Sequence, residues 1–80
     1  LDDDPQLLLE TGVRIDDDIY NVSGIYALCA HTHSPGRWHG HPIPWSRLPK
    51  EAKDKLIEYG HLDEATFRKA IRKGWGKEFA

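Results

Sequence analysis

The segment from Cys29 to Trp45 gathers four of the five histidines, the only cysteine and two of the three tryptophans of an 80-residue chain. His-x-His occurs twice within it, at His31/His33 and at His39/His41. On an extended backbone, residues two apart face the same way, so each pair can present two imidazoles together. Neutral imidazole is a common metal ligand, and its titration near neutrality suits it to general acid or base work. These four histidines are therefore the candidate catalytic residues and, equally, the candidate metal ligands.

Between the pairs, Ser34-Pro35-Gly36-Arg37 is a turn signal, because proline fixes φ and glycine accepts positive φ. A hairpin follows, and its register decides the chemistry. A two-residue turn pairing Ser34 with Arg37 sets His33 against Trp38 and His31 against Gly40, which sends His39 and His41 to the other face. An odd loop sets His33 against His39 and His31 against His41, with Cys29 one step further along the same face. The sequence is compatible with either.

Three readings of this stretch stay open. In the first, the histidines are polar residues of an exposed hairpin, with Trp38 and Trp45 in the core. In the second, two or three of them, with or without Cys29, hold zinc or another divalent metal. The spacing is not that of a zinc finger, and no Cys-x-x-Cys is present. In the third, one histidine removes and another donates a proton in metal-free phosphodiester cleavage, while Arg37 or a lysine holds the phosphate.

The elements that must position this stretch are short. Asp4-Pro5 followed by Leu7, Leu8 and Leu9 predicts a brief N-terminal helix stopped near Gly12. Val13-Arg14-Ile15 alternates as a strand, Asp16-Asp17-Asp18 reads as a turn, and Ile19 to Val22 forms a second strand. Ile25 to Ala30 is the most apolar run and the expected central strand. Ser23-Gly24-Ile25-Tyr26 at its start resembles the opening of the GIY-YIG nuclease domain. The likeness covers four residues, lacks the Tyr-Ile-Gly half and offers no clear place for that family's later Arg and Glu, so it carries no assignment. Pro42-Ile43-Pro44-Trp45 cannot make a regular central strand, and it should run extended with Ile43 and Trp45 laid on the core.

Helical periodicity takes over after Trp45. Pro49 to Tyr59 is predicted helical, with Glu51 and Lys55 as an i,i+4 pair and Gly60 as the stop. Asp63 caps a second helix to about Lys73, with Leu62 and Phe67 as a hydrophobic staple. The short Gly60-His61-Leu62 link fits a helix-turn-helix poorly, since His61, Thr66 and Lys69 fall where apolar residues belong. Arg68, Lys69, Arg72 and Lys73 form a cationic face on that helix, and Trp75 lies seven residues after Arg68. Basic side chains interleaved with an aromatic suit phosphate and base contacts.

Composition sets the outer limits. Eighty residues make one small domain, read here as a single unit over 1–80 and, with its Leu1 start and no methionine, as a piece of a longer chain. One cysteine leaves no internal disulfide, which a reducing compartment accommodates. The net charge of −2 hides an asymmetry: residues 1–20 hold seven acids against one arginine, and residues 36–80 hold ten Lys or Arg against six acids. No apolar run approaches a membrane span, and the basic half points to an anionic partner.

The expected fold is α+β: a short N-terminal helix, a small antiparallel sheet of three or four strands, and two packed C-terminal helices. The expected core contains Leu8, Ile25, Leu28, Trp45, Leu56, Phe67 and Ile71. The expected function is that of a small nucleic-acid-directed domain, most concretely a toxin-like nuclease. Its histidines would act alone or with a metal such as zinc, with Arg37, Arg68, Lys69, Arg72, Lys73 and Trp75 on the nucleic acid. The alternative is a non-catalytic adaptor or inhibitor that binds a protein partner through Trp38, Trp45 and Trp75.

Overall fold

The structure, a computed structural model, describes residues 11–34 and 37–80, apart from the side chains of residues 32–39. Four strands, β1 (Val13–Ile15), β2 (Asp18–Ser23), β3 (Tyr26–Ser34) and β4 (Arg37–Ile43), form one antiparallel sheet in sequence order. Two helices follow, α1 (Lys50–Glu58) and α2 (Glu64–Lys73). The mixed α+β class expected from the sequence is what the chain adopts. The expected N-terminal helix and its Leu8 lie outside the described residues. No helix among the described residues is long and apolar enough to cross a membrane.

Strand alternation makes one face of the sheet a set of three rows. The first row crosses from Val22 to Ala27 to Ile43, the second from Val13 to Tyr20, Cys29 and His41, and the third from Ile15 to Asp18, His31 and His39. Polarity rises from the first row to the third. The helices cover the apolar side: α1 lies against β1 and β2 through Ala52 and Leu56, both without exposed surface. Pro42 sits within β4 opposite Leu28, and β4 is an edge, so its missing donor breaks no inner ladder.

Trp45 anchors the apolar end. It is 1% exposed, its indole Nε1 donates to the Ile25 carbonyl at 2.9 Å, and Trp75 meets it edge-on with ring centres 5.7 Å apart. Phe67 of α2 lies against it at 6.5 Å. The backbone after α2 then crosses the end of β4: the Trp45 amide donates to the Trp75 carbonyl at 3.1 Å. A Cβ at Gly76 would stand 2.6 Å from the Ile43 carbonyl oxygen and 2.9 Å from the Pro44 Cα, on a residue with φ of +80°. Only glycine fits a backbone crossing this close.

Leu28, Trp45 and Leu56 are buried as expected, and Phe67 is partly buried against the core. Two expected core residues are not. Ile25 is 56% exposed because Ser23 pairs with Tyr26, which leaves Gly24 and Ile25 as the hairpin turn outside either face. Ile71 is 43% exposed because α2 turns Ala70 rather than its neighbour to the core. Asp63 holds the N-cap position of α2, but its side chain makes no capping bond.

Candidate functional site

The β3–β4 hairpin follows neither uninterrupted register. Ser34 pairs with Arg37, as a two-residue turn requires, yet Thr32 pairs with Trp38, His31 with His39 and Cys29 with His41. The register slips by one between Thr32 and Ser34, so His33 has no partner on β4. Such a bulge changes the parity of every pair beyond it. His31, His39, His41 and Cys29 thereby fall in two adjacent rows of one sheet face, while His33 occupies the bulge.

Around His31 the described side chains converge. Its Nδ1 lies 2.5 Å from Asp18 Oδ1, and its Nε2 lies 3.7 Å from Cys29 Sγ. Asp18 is the Cα partner of His31 on β2, which is why the carboxylate reaches the ring without any loop to guide it. A carboxylate on Nδ1 favours the tautomer with its proton there, leaving the Nε2 lone pair facing the sulfur. The His41 ring stacks on the His31 ring with centres 5.1 Å apart and planes 26° from parallel. Candidate ligand atoms of Asp18, Cys29 and His31 all lie within 4.8 Å of one another.

Burial grades across this cluster. Cys29 forms its floor at 4% exposure, the side chains of Asp18 and His31 are 31% and 41% exposed, and His41 is open to solvent. Burial pushes the Cys29 thiol above its ordinary range, with the Asp18 carboxylate adding to the rise and a hydrogen bond from Tyr20 opposing it. Tyr20, the Cα partner of Cys29, is itself pushed up to about 12, first by burial and then by the negative charges of Cys29 and Asp18. A free thiol in that position is a poor nucleophile at neutral pH. Its available roles are as a packed side chain or as a ligand.

The structure thus brings together part of the expected set. His31 and His41 are in contact, and His39 is placed opposite His31 by backbone register alone. The side chains of His33, Arg37, Trp38 and His39 lie outside the described ones. Arg68, Lys69, Arg72 and Lys73 are exposed on α2, where Arg68 also pairs with Glu64 at 3.2 Å. That helix docks on the turn at Trp45–Arg47, toward the apolar end of the sheet and away from the imidazoles. Trp75 does not extend the line of Arg68 and Arg72, because Gly74 ends the helix in the left-handed conformation and turns Trp75 inward. Its ring still lies 5.9 Å from the Lys69 ammonium. Trp45, a contact residue in the partner-binding alternative, is buried.

Sequence reasoning missed Asp18 and Tyr20. Asp18 reads as the third residue of a turn, whereas the turn holds only Asp16 and Asp17, with Asp16 at φ of 54°. The signal was arithmetic: a two-residue turn at Gly24-Ile25 pairs positions that sum to 49, and 18 with 31 is such a pair. Comparisons with protein-family models, curated proteins and solved structures find no match for this chain.

Proposed function

We propose that this chain is a nucleic-acid-directed domain that cleaves phosphodiester bonds at the face carrying His31 and His41. The observation that supports this best is the pair of stacked imidazoles, one of them oriented through Nδ1 by Asp18. Cleavage needs the attacking hydroxyl or water to lose a proton and the leaving oxygen to gain one as the phosphorus–oxygen bond breaks. An imidazole cluster open to solvent on one side is suited to both transfers. The exposed cations of α2, which docks on the Trp45–Arg47 turn, supply charges suited to binding backbone phosphates.

Incubating the purified chain with single-stranded RNA, single-stranded DNA and duplex DNA tests this directly. Cleavage of at least one is expected, with His31→Ala or His41→Ala lowering the rate by roughly a hundredfold or more. Replacing Arg68, Lys69 and Arg72 together by Gln should raise KM and flatten the logarithmic salt slope of binding by roughly 2. Intact substrates and no salt-dependent binding would remove this reading in favour of a non-catalytic protein-binding module.

A further inference from the structure

We propose that Cys29 Sγ and His31 Nε2 are two ligands of a divalent zinc-type cation, completed by His41, with Asp18 as the outer carboxylate that holds His31. The inference deepens the cleavage reading and rests on the same site, but its test uses metal alone.

The geometry carries the argument. In tetrahedral coordination with ordinary zinc–sulfur and zinc–nitrogen lengths, the sulfur and nitrogen stand about 3.5 Å apart. Sγ and Nε2 are 3.7 Å apart here, within hydrogen-bonding reach for a thiol in the metal-free chain and close to the span of one shared ion. Asp18 cannot direct the same oxygen to that ion, because Oδ1 is already on the other ring nitrogen. A carboxylate on Nδ1 of a ligating histidine is the usual outer support of such a site: it fixes the tautomer and ring orientation and raises the basicity of Nε2.

The remaining positions follow from the rows of the sheet. His41 is the Cα partner of Cys29, so its exposed side chain rises on the same face, beside the His31 ring. The His41 ring is stacked on that of His31 and is exposed, so it would have to turn out of the stack to place a ring nitrogen on the ion. Three protein ligands of the Cys-His-His type leave a fourth position open toward solvent, the mark of a catalytic rather than a structural zinc site. The Tyr20 hydroxyl, beside Cys29 on the neighbouring strand, hydrogen-bonds to Sγ. On binding, the Cys29 thiol gives its proton to solvent as the sulfur–metal bond forms, so uptake of the ion releases protons. In the cleavage reading, a bound ion would activate a water at the open position; with both imidazoles then serving as ligands, that water's proton would pass to solvent and the leaving oxygen would take one from solvent.

The experiment is titration of the metal-free chain with Zn²⁺ against a chromophoric chelator, and with Co²⁺ as a spectroscopic stand-in. One equivalent of Zn²⁺ should bind with proton release, and Co²⁺ should give a thiolate-to-metal charge-transfer band with tetrahedral visible absorption. Cys29→Ser should abolish the charge-transfer band. Asp18→Asn should keep the band but weaken Zn²⁺ binding by about 10–100-fold. His41→Ala should keep the band while altering the visible spectrum. Circular dichroism of each variant in chelator, matched to the parent, shows that folding is intact. Absence of stoichiometric binding, or a charge-transfer band that survives Cys29→Ser, overturns the site. Cleavage by a chain that binds no metal would overturn the site and leave the nuclease standing, whereas stoichiometric metal binding without cleavage of any nucleic acid would do the reverse.

Discussion

The two ends of one sheet face are built on opposite principles. At the Ile43 end, every side chain of the row is apolar, Trp45 is enclosed by Trp75 and Phe67, and the chain returns across β4 at a glycine. At the His31 end, the same strands carry Asp18, His31 and His39 in one row, with the Asp18 and His31 side chains 31% and 41% exposed. The strands are continuous between the two. A domain of 80 residues has one small core, and concentrating the packing at one end leaves the other end free for polar groups that would weaken a core. Cys29 and Tyr20 lie on the boundary row, where burial already raises both groups but both remain in reach of the polar cluster.

If this division is right, the largest stability losses come from the Trp45 end. Trp45→Ala removes the most enclosed side chain, its hydrogen bond to Ile25 and two aromatic contacts. It should cost about 4 kcal/mol, against a total stability of roughly 4–12 kcal/mol for a domain this size. Urea denaturation should find its midpoint lowered by the matching amount, and a loss below about 1 kcal/mol would break the comparison. Gly76→Ala comes next. The added methyl overlaps the Ile43 carbonyl, and the residue must keep a left-handed backbone, so about 2–3 kcal/mol should be lost in the same assay.

The same division explains what the sequence discloses. Leu56 and Ala52 recur at helical spacing and sit on the buried side of α1, and Trp45 follows two prolines that hold the chain extended onto the core. Periodicity and proline geometry are local, so they survive without a structure. Ile25 and Ile71 mislead because hydrophobicity alone does not say whether a residue sits at a turn tip or on the rim of a helix. The crowding of imidazoles was visible, but their grouping depends on a bulge at His33, and a bulge is a backbone choice that side-chain types do not announce. Asp18 was hidden by its company: beside Asp16 and Asp17 it looks like part of an acidic turn, and only the pairing of β2 with β3 sets it against His31.

The boundary row gives a smaller effect with a defined sign. The Tyr20 hydroxyl titrates near 10 in the unfolded chain and near 12 in the folded one. The folded state therefore holds the proton more tightly, and the associated stability is complete below pH 10 and disappears as pH rises from 10 toward 12. Urea midpoints measured across that window should fall with pH in the parent chain and fall less in Tyr20→Phe. Equal slopes for the two would show that Tyr20 is solvated like an open residue and does not belong to the boundary.

The smallest stability effect is expected at the polar end, and it sharpens the comparison most. His41→Ala removes an exposed ring whose one described aromatic contact is the stack on His31. Surface changes of this kind stay within about 0.5 kcal/mol, so the variant should melt like the parent in chelator. Its effect on cleavage and on the cobalt spectrum would then belong to chemistry and not to unfolding. A loss above about 1.5 kcal/mol would mean that the imidazoles are packing groups after all. The face would then be one continuous core with a polar rim, and the graded rows would have to be read as burial tailing off toward solvent.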